Sequence, residues 1–198
     1  MDFTLSKEHE MARKLFHDFA ETEVKPLAQE VDETEHFPKG TVEKMQKLGF
    51  MGIPVPKEYG GPGADDISAA IAVEELSKQC ASTGDIVATH NGLCCGPIIN
   101  FGTEEQKKKY LPQLVNGKVG AFALTEPNAG SDASKGTTVC EDKGDHWVMN
   151  GSKIFITNGY VADIFVVFAM TDPSKGTKGI SAFIVEKDFP GFSVGRHE

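Results

Sequence analysis

No stretch of this chain reaches the roughly 18 consecutive apolar residues of a membrane-spanning helix. Residues 1–8 have neither the basic-then-apolar layout of a secretory signal nor the Arg-rich, acid-poor character of a transit peptide. The expectation is a cytoplasmic protein without membrane insertion. A basic surplus is also missing: 20 Lys and Arg stand against 29 Asp and Glu, a formal net charge of −9. Partners held through nucleic-acid phosphates call for a basic face, which argues against nucleic acid. The single basic run, Lys107-Lys108-Lys109, reads as a solvated helix face.

The four cysteines, Cys80, Cys94, Cys95 and Cys140, contain no C-x-x-C pair, so they read as reduced structural thiols rather than zinc ligands or a redox motif. None of the six histidines lies in an H-E-x-x-H motif, and no G-x-S-x-G elbow is present. Neither a Walker lysine motif nor a G-x-G-x-x-G after a strand occurs, which disfavours the usual α/β routes to nucleotide binding. Internal repeats and low-complexity tracts are absent too. His90, within an apolar helical stretch, reads either as a satisfied core histidine or as a functional one.

What is present is 198 residues with 39% hydrophobic content, enough for a sizeable core, and a change of period near residue 117. Before it, the apolar positions recur at helical spacing. Ser6 followed by Glu8 and Glu10 predicts a helix start, with Met11, Ala12, Leu15, Phe16 and Phe19 on an apolar stripe running to about Val31 and interrupted near Pro26. Pro38 and Gly49 bracket a second helix, and the prolines and glycines of 52–63 require a loop. Asp66 opens a helix to about Gln79, another covers 83–101, and Thr103 with Gln106 forms a capping box for 104–115. After residue 117 come short β-favouring runs at 119–125, 137–141, 146–150, 153–157, 164–170 and 179–186. Asn150-Gly151 predicts a hairpin between the third and fourth of these. Residues 191–198 resemble a strand in mid-course. The predicted fold is α+β: a helical domain, 1–117, then an antiparallel β-barrel-like domain, 118–198, incomplete at its end.

Two stretches concentrate ligand-facing chemistry. Residues 122–132, Phe-Ala-Leu-Thr-Glu-Pro-Asn-Ala-Gly-Ser-Asp, run from apolar strand into a turn whose glycine and hydroxyls can approach a phosphate or carbonyl. Residues 151–159, Gly-Ser-Lys-Ile-Phe-Ile-Thr-Asn-Gly, again place a threonine at the end of an apolar run. If the two lie together, Thr125 and Thr157 offer donors to a flat heterocycle, with Phe122, Leu124 and Phe155 covering its apolar body. Strand core remains the competing reading for Phe155 and Ile156.

On these residues the chain resembles the acyl-CoA dehydrogenases, in particular the short-chain (butyryl-CoA) members of anaerobic bacteria. The resemblance extends through Tyr59-Gly60-Gly61, Val73-Glu74-Glu75-Leu76, Phe101-Gly102-Thr103-Glu104-Glu105-Gln106, Asn150-Gly151-Ser152-Lys153 and Gly179-Ile180-Ser181-Ala182-Phe183. It implies FAD in a cleft against the β domain, contacted by Phe122, Leu124, Thr125, Gly130, Ser131, Phe155, Ile156 and Thr157. Leu124 and Thr125 would meet the pyrimidine edge, Ser131 would lie near the pyrophosphate and face the acyl-CoA, and the Thr157 hydroxyl would bond N5. Many relatives carry Trp where this chain has Phe155, which keeps the aromatic face and loses the indole donor.

The family reaction removes an α-proton from an acyl thioester while hydride passes to the flavin, and electrons leave through electron-transferring flavoprotein. The resemblance also implies a homo-oligomer, dimer or tetramer, for the complete protein. Family members continue for a stretch of about equal size that carries a helical bundle and the glutamate base. No catalytic residue and no metal ligand is therefore expected within these 198 residues; Glu126 takes a structural place in the turn. The alternatives are a non-catalytic FAD or acyl-CoA binding module, an assembly partner on the same scaffold, or an acyl-CoA oxidase.

Overall fold

In the computed structural model, which describes residues 4–196, Ser6 caps the first helix as its sequence position predicts, accepting from the His9 N–H at 3.2 Å. Residues 1–3, His197 and Glu198 lie outside the described residues. The helix α1, Lys7–Phe19, runs into a π-helical turn, Ala20–Val24, then a 3₁₀ turn, Lys25–Leu27, at Pro26, and on into α2, Ala28–Thr34. Its buried stripe is centred on Ala12, Phe16, Phe19 and Ala20, which leaves Met11 and Leu15 exposed at the stripe's edge. Next come α3, Lys39–Lys47, and α4, Asp66–Gln79, whose N-cap is Asp65 rather than Asp66. The apolar run 81–101 forms α5, Ala81–Ala88, a π-helical segment, Thr89–Cys95, and α6, Gly96–Phe101; α7, Glu104–Val115, begins at the Thr103–Gln106 capping box.

The chain divides after Lys118 into two compact units. The core of the first is built on Phe50, whose ring meets Phe16 and Phe19 edge-on at 4.7 and 5.0 Å, together with Met45, Met51, Leu76 and Val87. The loop of 52–63 folds tightly, since a Cβ on Gly61 would sit 2.2 Å from the Val55 carbonyl oxygen. His90 resolves as a core histidine. Fully buried, it bonds the Met51 carbonyl oxygen at 3.0 Å, and burial depresses its pKa to about 4. Its neighbour Asn91 donates to the Phe50 carbonyl at 2.8 Å and accepts from the Ile53 N–H at 3.1 Å, so both side chains serve the 50–53 turn. No described helix is long and apolar enough to cross a membrane.

The second unit corrects the barrel expectation. Its strands are β1, Gly120–Ala123; β2, Val139–Asp142; β3, Trp147–Asn150; β4, Ile164–Met170; and β5, Ile180–Glu186. They form an open, mixed sheet. β1 runs parallel to β4, from Gly120 opposite Ile164 to Ala123 opposite Val167, and β2 meets β4 in parallel at Val139 and Met170. Only the β2–β3 and β4–β5 ladders are antiparallel. Closure would need a further ladder for β3 or β5, and among the described residues β3 pairs only β2 and β5 only β4.

The Asn150-Gly151 hairpin does not form either: β3 folds back on β2 through residues 143–146, with Lys143 N–H bonded to the His146 carbonyl at 2.9 Å. Residues 192–196 carry no strand, and Phe192 instead stacks on Phe165 at 4.8 Å. One face of the sheet buries Val119, Ala121, Ala123, Phe165 and Val167, with Ile156 packed against them. On the other, Phe122 meets Phe168 at 5.1 Å.

Candidate functional site

β1 ends at Ala123, and the residues that follow are held by a segment that arrives from the far side of β3. Residues 151–159 form no strand. They run back along β1, with the Ile154 N–H on the Thr125 carbonyl just past its end at 3.0 Å and the Asn158 amide on the Gly120 carbonyl at its start at 3.1 Å. Gly151 makes this approach possible, because an added Cβ would lie 2.3 Å from Thr138 Oγ1 and 2.7 Å from Thr138 Cα. The fold thus brings together the two stretches singled out in the sequence.

Glu126 and Lys153 lock them. The Glu126 carboxylate is 3% exposed and accepts from the Thr137 N–H at 2.5 Å, the Thr137 hydroxyl at 2.8 Å, the Thr138 N–H at 3.1 Å and Lys153 Nζ at 2.7 Å. Burial favours the neutral acid, but the hydrogen bonds from Lys153, Thr138 and Thr137 overcome it and bring the pKa down to about 2. A carboxylate so held is a poor proton acceptor, in keeping with a structural place for Glu126. Lys153 Nζ donates to the Leu124 carbonyl as well, at 3.1 Å. The sequence stretch contained Lys153, at the head of the apolar run 154–156, with no signal of this role; Thr137 and Thr138 carried none.

Phe155 has a left-handed backbone, φ 54°, and its side chain is 72% exposed. A bulky residue in that conformation is uncommon and strained, and here it turns the ring out to solvent while Ile156 enters the core. The structure therefore separates the two residues for which strand core had been an option. Asn158, φ 65°, is also left-handed, as asparagines tolerate. These two residues break the extended path that the 153–157 strand expectation required.

The remaining predicted residues distribute as follows. Thr125, half-buried, lies beside Ile154, and Thr157, also half-buried, follows Ile156. Phe122 and Leu124 point to the face opposite Ile156: Phe122 packs on Phe168, and Leu124 lines a small cavity with Glu126, Thr138, Lys153 and Met170. The backbone of the same strand end is also available to a shared site, through the Leu124 and Thr125 peptides. Gly130 and Ser131 are exposed, and a Cβ on Gly130 would meet nothing within 4 Å. Asp132 is engaged by the Ser134 hydroxyl and by Lys135 at 3.3 Å, which together hold its carboxyl below the usual range. With Glu126 neutralised by Lys153 and Asp132 by Lys135, the turn presents hydroxyls and backbone with its carboxylates compensated. That donor set, beside an outward aromatic ring, fits a flat heterocycle carrying phosphates.

Comparison with known proteins gives the same outline. Residues 6–118 match the family model "Acyl-CoA dehydrogenase, N-terminal domain", and residues 121–198 match "Acyl-CoA dehydrogenase, middle domain". The chain is 60% identical to the short-chain specific acyl-CoA dehydrogenase of Clostridium acetobutylicum, covering 100% of this chain and 52% of that protein. Among solved structures, a chain from work on the electron transferring flavoprotein of Acidaminococcus fermentans superposes with a TM-score of 0.96 at 50% identity, covering 100% of this chain and 52% of its own. An acyl-CoA dehydrogenase from Bacillus anthracis complexed with FAD superposes with a TM-score of 0.89 at 40% identity, covering 98% and 33%. The chain spans about half the length of the curated relative it matches.

Proposed function

The chain belongs to the acyl-CoA dehydrogenase family, and from that we propose that it carries the FAD-contacting part of an enzyme for α,β-dehydrogenation of short-chain acyl-CoA thioesters, butyryl-CoA to crotonyl-CoA or the reverse. Electrons would pass to electron-transferring flavoprotein, and the complete protein would be a homo-oligomer. One observation supports this reading above the others: the Leu124–Glu126 strand end is bonded to Lys153 and Ile154, which sets Thr125 beside the segment bearing Phe155 and Thr157.

FAD, when bound, supplies the hydride-accepting chemistry. The residues of this chain align and polarise. Thr125 offers N–H and hydroxyl donors at the pyrimidine edge, Gly130 and Ser131 approach the pyrophosphate, and Ser131 faces the thioester. Phe155 and Ile156 lie along the ring system, and the Thr157 hydroxyl bonds at N5. Such fixed donors stabilise charge as it develops without reorganising, which is where an enzyme acting on a very weakly acidic α-proton gains most. The base is assigned to no residue of this chain, so residues 1–198 alone should not turn over.

The test is anaerobic flavin bleaching by butyryl-CoA. The complete protein bleaches and residues 1–198 do not; rapid bleaching by the latter would place a base here and overturn the assignment. Thr157→Val in the complete protein should slow bleaching by about 100-fold, the scale for losing a charge-stabilising donor. An unchanged rate and unchanged flavin potential would remove Thr157 from the site.

A further inference from the structure

Lys153 makes a contact that its ion pair with Glu126 does not require. Its side chain is 11% exposed, and besides the carboxylate it donates to the main-chain carbonyl of Leu124 at 3.1 Å. That carbonyl and the Thr125 N–H belong to one planar trans peptide, so they point in opposite directions. A full positive charge on the oxygen draws density through the amide and strengthens the N–H at the other end as a donor. The next peptide is clamped too, with the Thr125 carbonyl on the Ile154 N–H at 3.0 Å.

We propose that Lys153 is a positioning residue that raises the flavin reduction potential by polarising the Leu124–Thr125 peptide. This rests on the reading above that Thr125 meets the pyrimidine edge. Two-electron reduction of a flavin places negative charge on that edge, so a stronger donor there favours the reduced form. Glu126 opposes the effect through space, and the ammonium keeps its own bond to the Leu124 carbonyl beside the carboxylate. The two partners of one ion pair therefore act on the potential with opposite sign, which a purely structural pair would not do.

The experiment is dye-equilibrated potentiometry on the FAD-loaded complete protein. Lys153→Met should lower the potential by about 30 mV, equivalent to about a tenfold loss in preference for reduced over oxidised flavin. Lys153→Arg should restore most of it. Glu126→Gln, which leaves the ammonium on the carbonyl, should leave the potential unchanged or higher. If Lys153→Met does not fold because a buried carboxylate is stranded, the Lys153→Met/Glu126→Gln pair carries no unpaired charge and should lie below Glu126→Gln by the same amount. Equal potentials in Glu126→Gln and the double variant, or a fall in Glu126→Gln matching that in Lys153→Met, overturn the proposal. Thr157→Val separates the two readings. A potential or bleaching rate that responds to Thr157 but not to Lys153 sinks only the peptide relay, whereas indifference to both sinks the flavin site as well.

Discussion

Glu126→Gln tests the lock between the two site-forming stretches. In the fold the carboxyl titrates at about 2 against an ordinary 4.5, a difference of about 2.5 units. Since the folded-state value is the lower one, ionisation stabilises the fold fully above pH 4.5, and that contribution is lost as pH falls toward 2. At about 1.4 kcal/mol per unit, it amounts to about 3 kcal/mol at pH 7 and about 1.5 kcal/mol at pH 3. Glutamine fills the same volume, but every neighbour of the carboxylate is a donor: two backbone N–H groups, a hydroxyl and an ammonium. Only the Thr137 hydroxyl among them can also accept, so the amide NH₂ is met at one N–H at most and the loss is not recovered. The assay is hydrogen–deuterium exchange of peptides spanning 134–142, corrected for intrinsic rates, in the complete protein at pH 7 and at the lowest pH it tolerates. Protection should fall about 100-fold at pH 7, and the difference from wild type should narrow as pH falls. Wild-type protection in the variant, or a deficit that does not change with pH, would refute the reasoning.

Phe155→Asn should relieve the left-handed backbone by about 1 kcal/mol, since the exposed ring surrenders little burial, while weakening FAD binding several-fold; thermal melting and a fluorescence titration read the two effects. Gly151→Ala should destabilise the second unit by about 2 kcal/mol or more, because the new Cβ meets the backbone of Thr138 as well as its side chain. Exchange of the 134–142 peptides should then rise without any pH dependence. In the first unit, His90 titrates at about 4 rather than 6.5, so the unfolded state binds the extra proton and stability falls as pH drops from 6.5 toward 4. His90→Gln, neutral throughout, should flatten that slope in denaturation series across this range.

The helical half was legible because its signals are local. Ser6, the Thr103–Gln106 box and the Pro38–Gly49 bracket act within a few residues of themselves, and the helices begin and end there to within a residue or two. In the β half, the run 164–170 was readable as β4 from composition alone, and the motif-bearing turns were recognisable by residue type. The partners of the strands were not. Asn150-Gly151 is a strong hairpin signal, yet β3 pairs β2, because the chain after Gly151 is drawn instead to the carbonyls at the end of β1.

By itself the sequence determined the two-part α-then-β order of elements, the capped helices and the family to which the turn motifs belong. Only the tertiary structure decided that β1 and β4 run parallel in an open sheet, that Phe155 faces out while Ile156 faces in, and that Lys153 bridges Leu124 and Glu126. Caps and turns are short-range effects written into neighbouring residues. Strand register and the partner of a buried lysine depend on segments separated by many residues, and their energies exist only once the chain has brought those segments together.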